Sequence, residues 1–250
     1  MVNTDGGTGF SGGLILPGSI EWSDVKPGMV VMGSADRSIL FGGIGPRHQV
    51  SIGYSFKISR IPVPSSEALK IIQSSEADIA SESEWELANS RGLLSAEIGC
   101  IEGLEDRHHG YWGKICDGRP HYGGNRGLKN LRHWSKSGPV SIQRPTLSED
   151  GKTESVRLVI REDPVWSDNP LAIPIRKDNQ RIMVEEALIS LFLGVIPSFI
   201  WAYHNAGDGY LREGWLNLIM GGIFFGLFTS LFWRPKQPTW HVKSGTMIKK

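Results

Sequence analysis

Near the C-terminus the polar pattern lapses twice. Residues 187–203 and 214–233 contain no Asp, Glu, Lys or Arg, and each approaches the ~20 residues that a helix needs to cross a hydrocarbon core. Trp201, Tyr203, Trp215 and Trp233 sit near the ends, where aromatic side chains anchor at the water boundary. A fully apolar circumference is hard to bury in so short a chain. Residues 183–235 are therefore predicted to form a two-helix transmembrane hairpin, turned by the polar loop 204–213. Arg176, Lys177 and Arg181 precede the first segment and Arg234, Lys236 and Lys243 follow the second, whereas the loop holds only Arg212. This bias puts the N-terminal part and the tail 236–250 on the cytoplasmic side of a multi-pass membrane protein. Pro197 should kink the first helix. Gly222 and Gly226 give the second a small-residue face, open to packing within the hairpin or against a partner.

Upstream the pattern shortens. Residues 29–32 form an apolar run ended by Gly33; 49–52 and 54–58 read as extended, and 156–161 alternates like a half-buried strand. Ser65 and Ser66 can cap a helix running through Ile72. Ser81 and Glu84 have capping-box spacing for a second helix, with Trp85 and Ala88 on its core face and Arg91-Gly92 as its stop. Residues 92–151 are predicted to be loop-rich. The expected division is a flexible leader (1–19), an α+β domain (20–163), a proline-bearing linker (164–182), the hairpin and the tail.

Composition narrows the class. The net charge is +1 and the basic residues are scattered, so a nucleic-acid partner is not expected. Residues 1–19 lack the basic and apolar regions of a secretory signal. Cys100 and Cys116 are the only thiols, too few for a disulfide-dense scaffold, although their number allows one bridge. There is no Gly-x-Ser-x-Gly elbow, and Gly42-Gly43-Ile44-Gly45 lacks the spacing of a phosphate or dinucleotide loop. Glu185 and Glu186 lie only at the membrane edge, which gives no proton path.

Several segments, in order, resemble the sulfatase-modifying factor family, the formylglycine-generating enzyme domain. These are Val30-Val31-Met32-Gly33-Ser34, Pro46-Arg47-His48-Gln49-Val50, Phe56-Lys57-Ile58 with Pro62-Val63, the helix start in 79–88, Tyr111-Trp112-Gly113 and Val156-Arg157-Leu158-Val159. The resemblance covers residues 20–163 and implies a compact α+β, C-type-lectin-like fold with little regular structure. Active relatives oxidise substrates with oxygen, through a copper-binding cysteine pair or iron held by histidines. Here the arginine-glycine-glycine-serine-tryptophan segment and the later cysteine-bearing strand have no match, and Ser155 replaces the glycine before the closing arginine. No catalytic residue carries over.

The expectation is a non-catalytic, membrane-anchored binding or assembly module, a pseudoenzyme without a cofactor. Its partners are the bilayer and a membrane protein or second copy through the hairpin. Arg107, Tyr111, Trp112, Arg119, Tyr122, Arg126 and Trp134 are the candidate ligand surface. Two alternatives stand beside it. One is a copper or iron oxidoreductase using Cys100 with Cys116, or His108, His109, His121 and His133 near Asp106 and Asp117. The other is an accessory subunit of a membrane complex. Glu82, Glu84 and Glu86 are assigned to the helix start, and His48 to strand packing.

Overall fold

The computed structural model describes residues 20–123, 128–145, 155–175, 177–207 and 209–250. The leader 1–19, Arg126 and Arg176 lie outside them. The chain first forms β1 (Trp22–Val25), β2 (Gly28–Met32), β3 (His48–Ile52), β4 (Phe56–Ser59), β5 (Val63–Pro64), α1 (Ser65–Ser74), β6 (Asp78–Ile79) and α2 (Glu82–Ser90). Then follow β7 (Ile101–Gly103), β8 (Leu128–Ser135), β9 (Gly138–Pro145), β10 (Ser155–Val156) and β11 (Leu158–Arg161). The architecture is mixed α+β. Among the described residues the strands make sheets of order β1-β4-β11-β6 and β5-β10-β7-β8-β9, plus a third described below.

Alternation in the sequence accounts for the early strands. Val50, Ile52, Phe56 and Ile58 face one core with Val159, while Val63, Ala68, Ile71 and Leu158 fill a second. Pro64 pairs with Ser155, so α1 begins directly after it, and Ser65 and Ser66 lie inside the first turn rather than capping it. In α2 the capping box forms as spaced: Ser81 Oγ accepts from the Glu84 amide at 3.2 Å, and Glu84 Oε2 accepts from the Ser81 amide at 2.8 Å. Gly92, at φ +69°, follows its end.

Residues 92–151 are not simply loop. β8 and β9 are eight residues each and pair along their whole length from Leu128↔Pro145 to Ser135↔Gly138. Their pattern was hidden because β8 buries Asn130 and Arg132 beside Leu131, which erases polar alternation. The linker also packs down. Cys116 N donates to Leu171 O at 2.7 Å and Ile173 N to Lys114 O at 3.0 Å, burying Ile173.

The apolar C-terminal part begins with α3 (Asn179–Ile189), passes through a π-helical turn (Ser190–Val195) into α4 (Ile196–Asn205), then α5 (Tyr210–Glu213) and α6 (Trp215–Phe228). Asn179–Asn205 is one helix long and apolar enough to cross a membrane, with only 11% of its most apolar window buried, unlike the core helix of a globular protein. Trp215–Leu231 is apolar but shorter. The π turn precedes Pro197: the Ile196 amide reaches Leu191 O, five residues back, so the proline falls in the first turn of α4, where its missing donor costs little. The glycine face packs inward. A Cβ on Gly222 would lie 2.5 Å from Val195 Cα, and one on Gly226 2.5 Å from Ser190 Cα.

Residues 236–250 are not a free tail. β12 (Trp240–Lys243) and β13 (Thr246–Lys249) form a hairpin, and β12 runs parallel to β3 in the third sheet, β13-β12-β3-β2. Chain before and after the helices therefore meets in one sheet at one end of the helix pair. Arg37 joins the two parts, bonding Glu185 at 2.8 Å and Pro235 O at 3.0 Å, and Arg234 holds Glu186 through Nε at 2.8 and 2.9 Å.

Candidate functional site

The first turn of α2 sends its glutamates to different places. Glu84 is occupied by the cap, by Tyr54 Oη at 2.7 Å and by Arg161 Nε at 2.7 Å. Glu82 instead enters a fully buried group. It accepts from Arg132 at 2.7 Å, from Tyr111 Oη at 2.9 Å and from Asn130 Nδ2 at 3.3 Å, and lies 3.0 Å from His108 Nε2. Asp106 receives the Glu82 amide at 2.6 Å, the His121 amide at 2.9 Å and Lys114 Nζ at 3.2 Å. Glu82, Asp106 and His108 bring ligand atoms within 4.8 Å of one another. His108 also packs against the rings of Tyr111 and His121, at 4.7 and 5.0 Å between centroids, and Tyr111 packs on His48 at 4.8 Å.

In this group Glu82 and Asp106 face Arg132 and Lys114. Burial alone would raise the Glu82 carboxyl, but Arg132, with His108 and Lys114, holds it well below the usual carboxylate range. Burial raises Glu86, which shares Arg132, and raises the Tyr111 hydroxyl well above its ordinary value. Burial lowers His48 to about 3, and burial with Lys114 and His108 lowers His121 to about 4, so both rings are neutral near pH 7. Every carboxylate oxygen of Glu82 and Asp106 already accepts a hydrogen bond. A cation entering here would have to displace those donors beside Lys114 and Arg132, which suits neither copper nor iron with open positions. His48 Nε2, His108 Nδ1 and His121 Nε2 have no partner among the described residues, but Gly123 lies over His121 Nε2, where a Cβ would overlap it.

The other predicted ligands separate. Cys100 Sγ faces Ser155 Oγ at 3.7 Å, whereas Cys116 sits in the core with Sγ 3.6 Å from Lys114 O; both thiols are free. Burial raises Cys100 and pushes Cys116 up to about 12, so neither is a ready thiolate. His133 lies in β8 between Ile101 and Val140, outside the group around His108. His109 is exposed and lines a cavity described below.

Nor do the predicted surface residues share one face. Tyr111 is committed to Glu82, and Trp134 Nε1 donates to Glu102 at 2.7 Å. Arg119 pairs with Asp117 at 2.6 Å and lies over Trp166, Tyr122 Oη donates to Glu105 at 2.6 Å, and Arg107 is exposed. Trp112 lines open space. Sequence alone assigns Glu82 to the helix start with Glu84 and Glu86, because an acid in a first turn already has a role there, and its turn inward to Arg132 and His108 depends on residues distant in sequence.

A more open space lies elsewhere, at the seam between the α+β domain and the base of the helices. A cavity of about 830 Å³ is bounded by the 42–45 glycine loop, His109, Trp112, Lys177, Glu186 and Arg234. Beside it a groove of about 270 Å³ runs between the start of α3 and β12, sharing Arg37, Trp112 and Lys177 with the cavity. The cavity lies within the range of small-ligand pockets and the groove just below it. No family model matches the chain, and neither a curated protein nor a solved structure matches it.

Proposed function

We propose that the protein is a membrane-anchored, non-catalytic binding or assembly module. In this reading a domain of the formylglycine-generating-enzyme type is held at the cytoplasmic face of a bilayer by a two-helix transmembrane hairpin, and ligand or partner meets the seam cavity. One observation carries it: beside that cavity Arg37–Glu185 joins the domain to the base of α3, and Arg234–Glu186 ties the end of the second apolar helix to the same base, at 2.8 Å each. The sheet containing β3 and β12 supports a hairpin, because both flanks of the helices lie on one side of them. Lys177, Arg181, Arg234 and Lys236 at that end favour a cytoplasmic orientation. The protonated, separated thiols and the self-compensated Glu82–Asp106 group support a binding role over catalysis.

The test is extraction and topology. Alkaline carbonate should leave the full chain in the membrane, and protease added to inside-out vesicles should digest the α+β domain. Release by carbonate would overturn the anchor, and protection of the domain would overturn the orientation. A second reading, a metal-dependent oxidoreductase, draws on the approach of Glu82, Asp106 and His108. Stoichiometric copper or iron in detergent-purified protein, lost in His108→Ala, would favour it over the first.

A further inference from the structure

The groove beside α3 has a composition and a height of its own. Arg37, Lys177, Arg181, Lys236 and Lys249 line it against two carboxylates, Asp178 and Glu185, an excess of three positive charges in a chain whose net charge is +1. Glu185 is already shared by Arg37 at 2.8 Å and Arg181 at 2.9 Å, and Asp178 caps α3 by accepting from the Arg181 amide at 3.1 Å. Lys177, Lys236 and Lys249 are exposed and make no salt bridge among the described residues. Between these cations the wall is apolar, with Trp112, Trp240 and three prolines.

Its height follows from the adjoining loop. Ile39 and Leu40 donate their amides to Ser230 O at 2.9 Å and Leu231 O at 3.0 Å, at the end of the second apolar helix. This sets the exposed Ile39, Leu40 and Phe41 beside the exposed Phe232 and Trp233. Consecutive apolar side chains at the end of a lipid-facing helix match the boundary between acyl chains and headgroups. The cationic groove opens at the same end.

We infer that this groove is a binding site for the headgroup of an anionic phospholipid, with Lys177, Lys236 and Lys249 on the phosphate and the Trp112–Trp240 wall against the glycerol and upper acyl chain. The inference rests on the membrane reading above. A lysine near an anionic membrane surface strengthens binding by about fivefold.

The probe is short-chain phosphatidylglycerol titrated into the full chain in neutral detergent, read by native mass spectrometry and tryptophan fluorescence. Phosphatidylcholine and inorganic phosphate serve as the other arms. Phosphatidylglycerol should bind tightest. Lys177→Gln and Lys249→Gln should each weaken it about fivefold while leaving the circular dichroism unchanged. Equal binding of phosphatidylcholine, or indifference to both variants, overturns the site, and inorganic phosphate binding as tightly as the lipid reassigns it to a soluble anion. Carbonate extraction of the membranes from which the protein is purified separates the two proposals: a protein that stays in the membrane yet, once in detergent, takes no phosphatidylglycerol refutes only this one.

Discussion

Glu82 and Arg132 meet 2.7 Å apart with almost no solvent access, tying the first turn of α2 to the middle of β8. Arg132 also bonds Glu86 at 2.7 Å and lies 4.9 Å from the Trp85 ring centre. Removing Arg132 strands the Glu82 charge in the core and removing Glu82 leaves Arg132 only the partly exposed Glu86, losses of up to about 3–5 kcal/mol, whereas replacing both with neutral groups leaves no charge unpaired between them. Glu82→Gln and Arg132→Met should therefore each be strongly destabilising. The double variant should be less unstable than the sum by roughly 0.5–3 kcal/mol, measured as a double-mutant cycle in denaturant on the full chain. Additive losses would show that the two residues act independently.

The buried histidines set an acid limit. His48 is lowered to about 3 and His121 to about 4, against an ordinary value of 6.5. Between pH 6.5 and about 4 the unfolded chain takes up these protons and the folded chain does not, so stability is complete above 6.5 and falls as the pH falls. Each ring contributes a slope of about 1.4 kcal/mol per pH unit in that window. Glu82, held well below its ordinary range, adds loss at the acid end. The thermal midpoint should drop from pH 7 to 4.5, and His121→Gln should flatten that drop; a variant profile parallel to the parent's would exclude this source.

Much of this fold was legible, and the gaps have physical reasons. The capping box, the runs at 29–32 and 49–52 and the glycine face of α6 were readable because each depends on local spacing. β8 was not, since a strand that buries Asn130 and Arg132 has no apolar period. The β12–β13 hairpin did leave a signal: Ser244-Gly245, at φ +50° and +72°, is a two-residue turn between strands of four. The candidate site was half legible. His108, His121 and Asp106 stood out by type, but His48 and Glu82 join them only through long-range folding, and the seam groove draws residues from 37 to 249.

Neighbouring glycines in α6 should behave oppositely. A Cβ on Gly221 meets nothing within 4 Å, while one on Gly222 runs into the Val195 backbone at 2.5 and 2.6 Å. Gly221→Ala should be neutral or stabilising, because alanine loses less backbone freedom in a helix. Gly222→Ala must push the helices apart, costing about 1–3 kcal/mol. Thermal scans of both variants in detergent check this, and equal midpoints would mean that the helices do not pack along the glycine face.

The C-terminal hairpin makes the final prediction, because it was expected as a tail and found as part of a sheet. Trp240 N donates to Arg47 O at 2.9 Å, Val242 N to Gln49 Oε1 at 3.1 Å, and Trp240 and Met247 pack against the core that holds Val50. Ending the chain after Gln237 removes these bonds, strips the outer edge of β3 and uncovers that side of the core. The loss should be about 2–3 kcal/mol, or roughly 5–10 °C in the thermal midpoint. It should also open the seam groove, since Trp240 and Lys249 form one of its walls. Trp240→Ala in the intact chain isolates the packing share: if it reproduces most of the shift, side-chain burial holds the hairpin down, and if it does not, the backbone ladder does. A truncated protein as stable as the parent would mean that β12 adds nothing to β3.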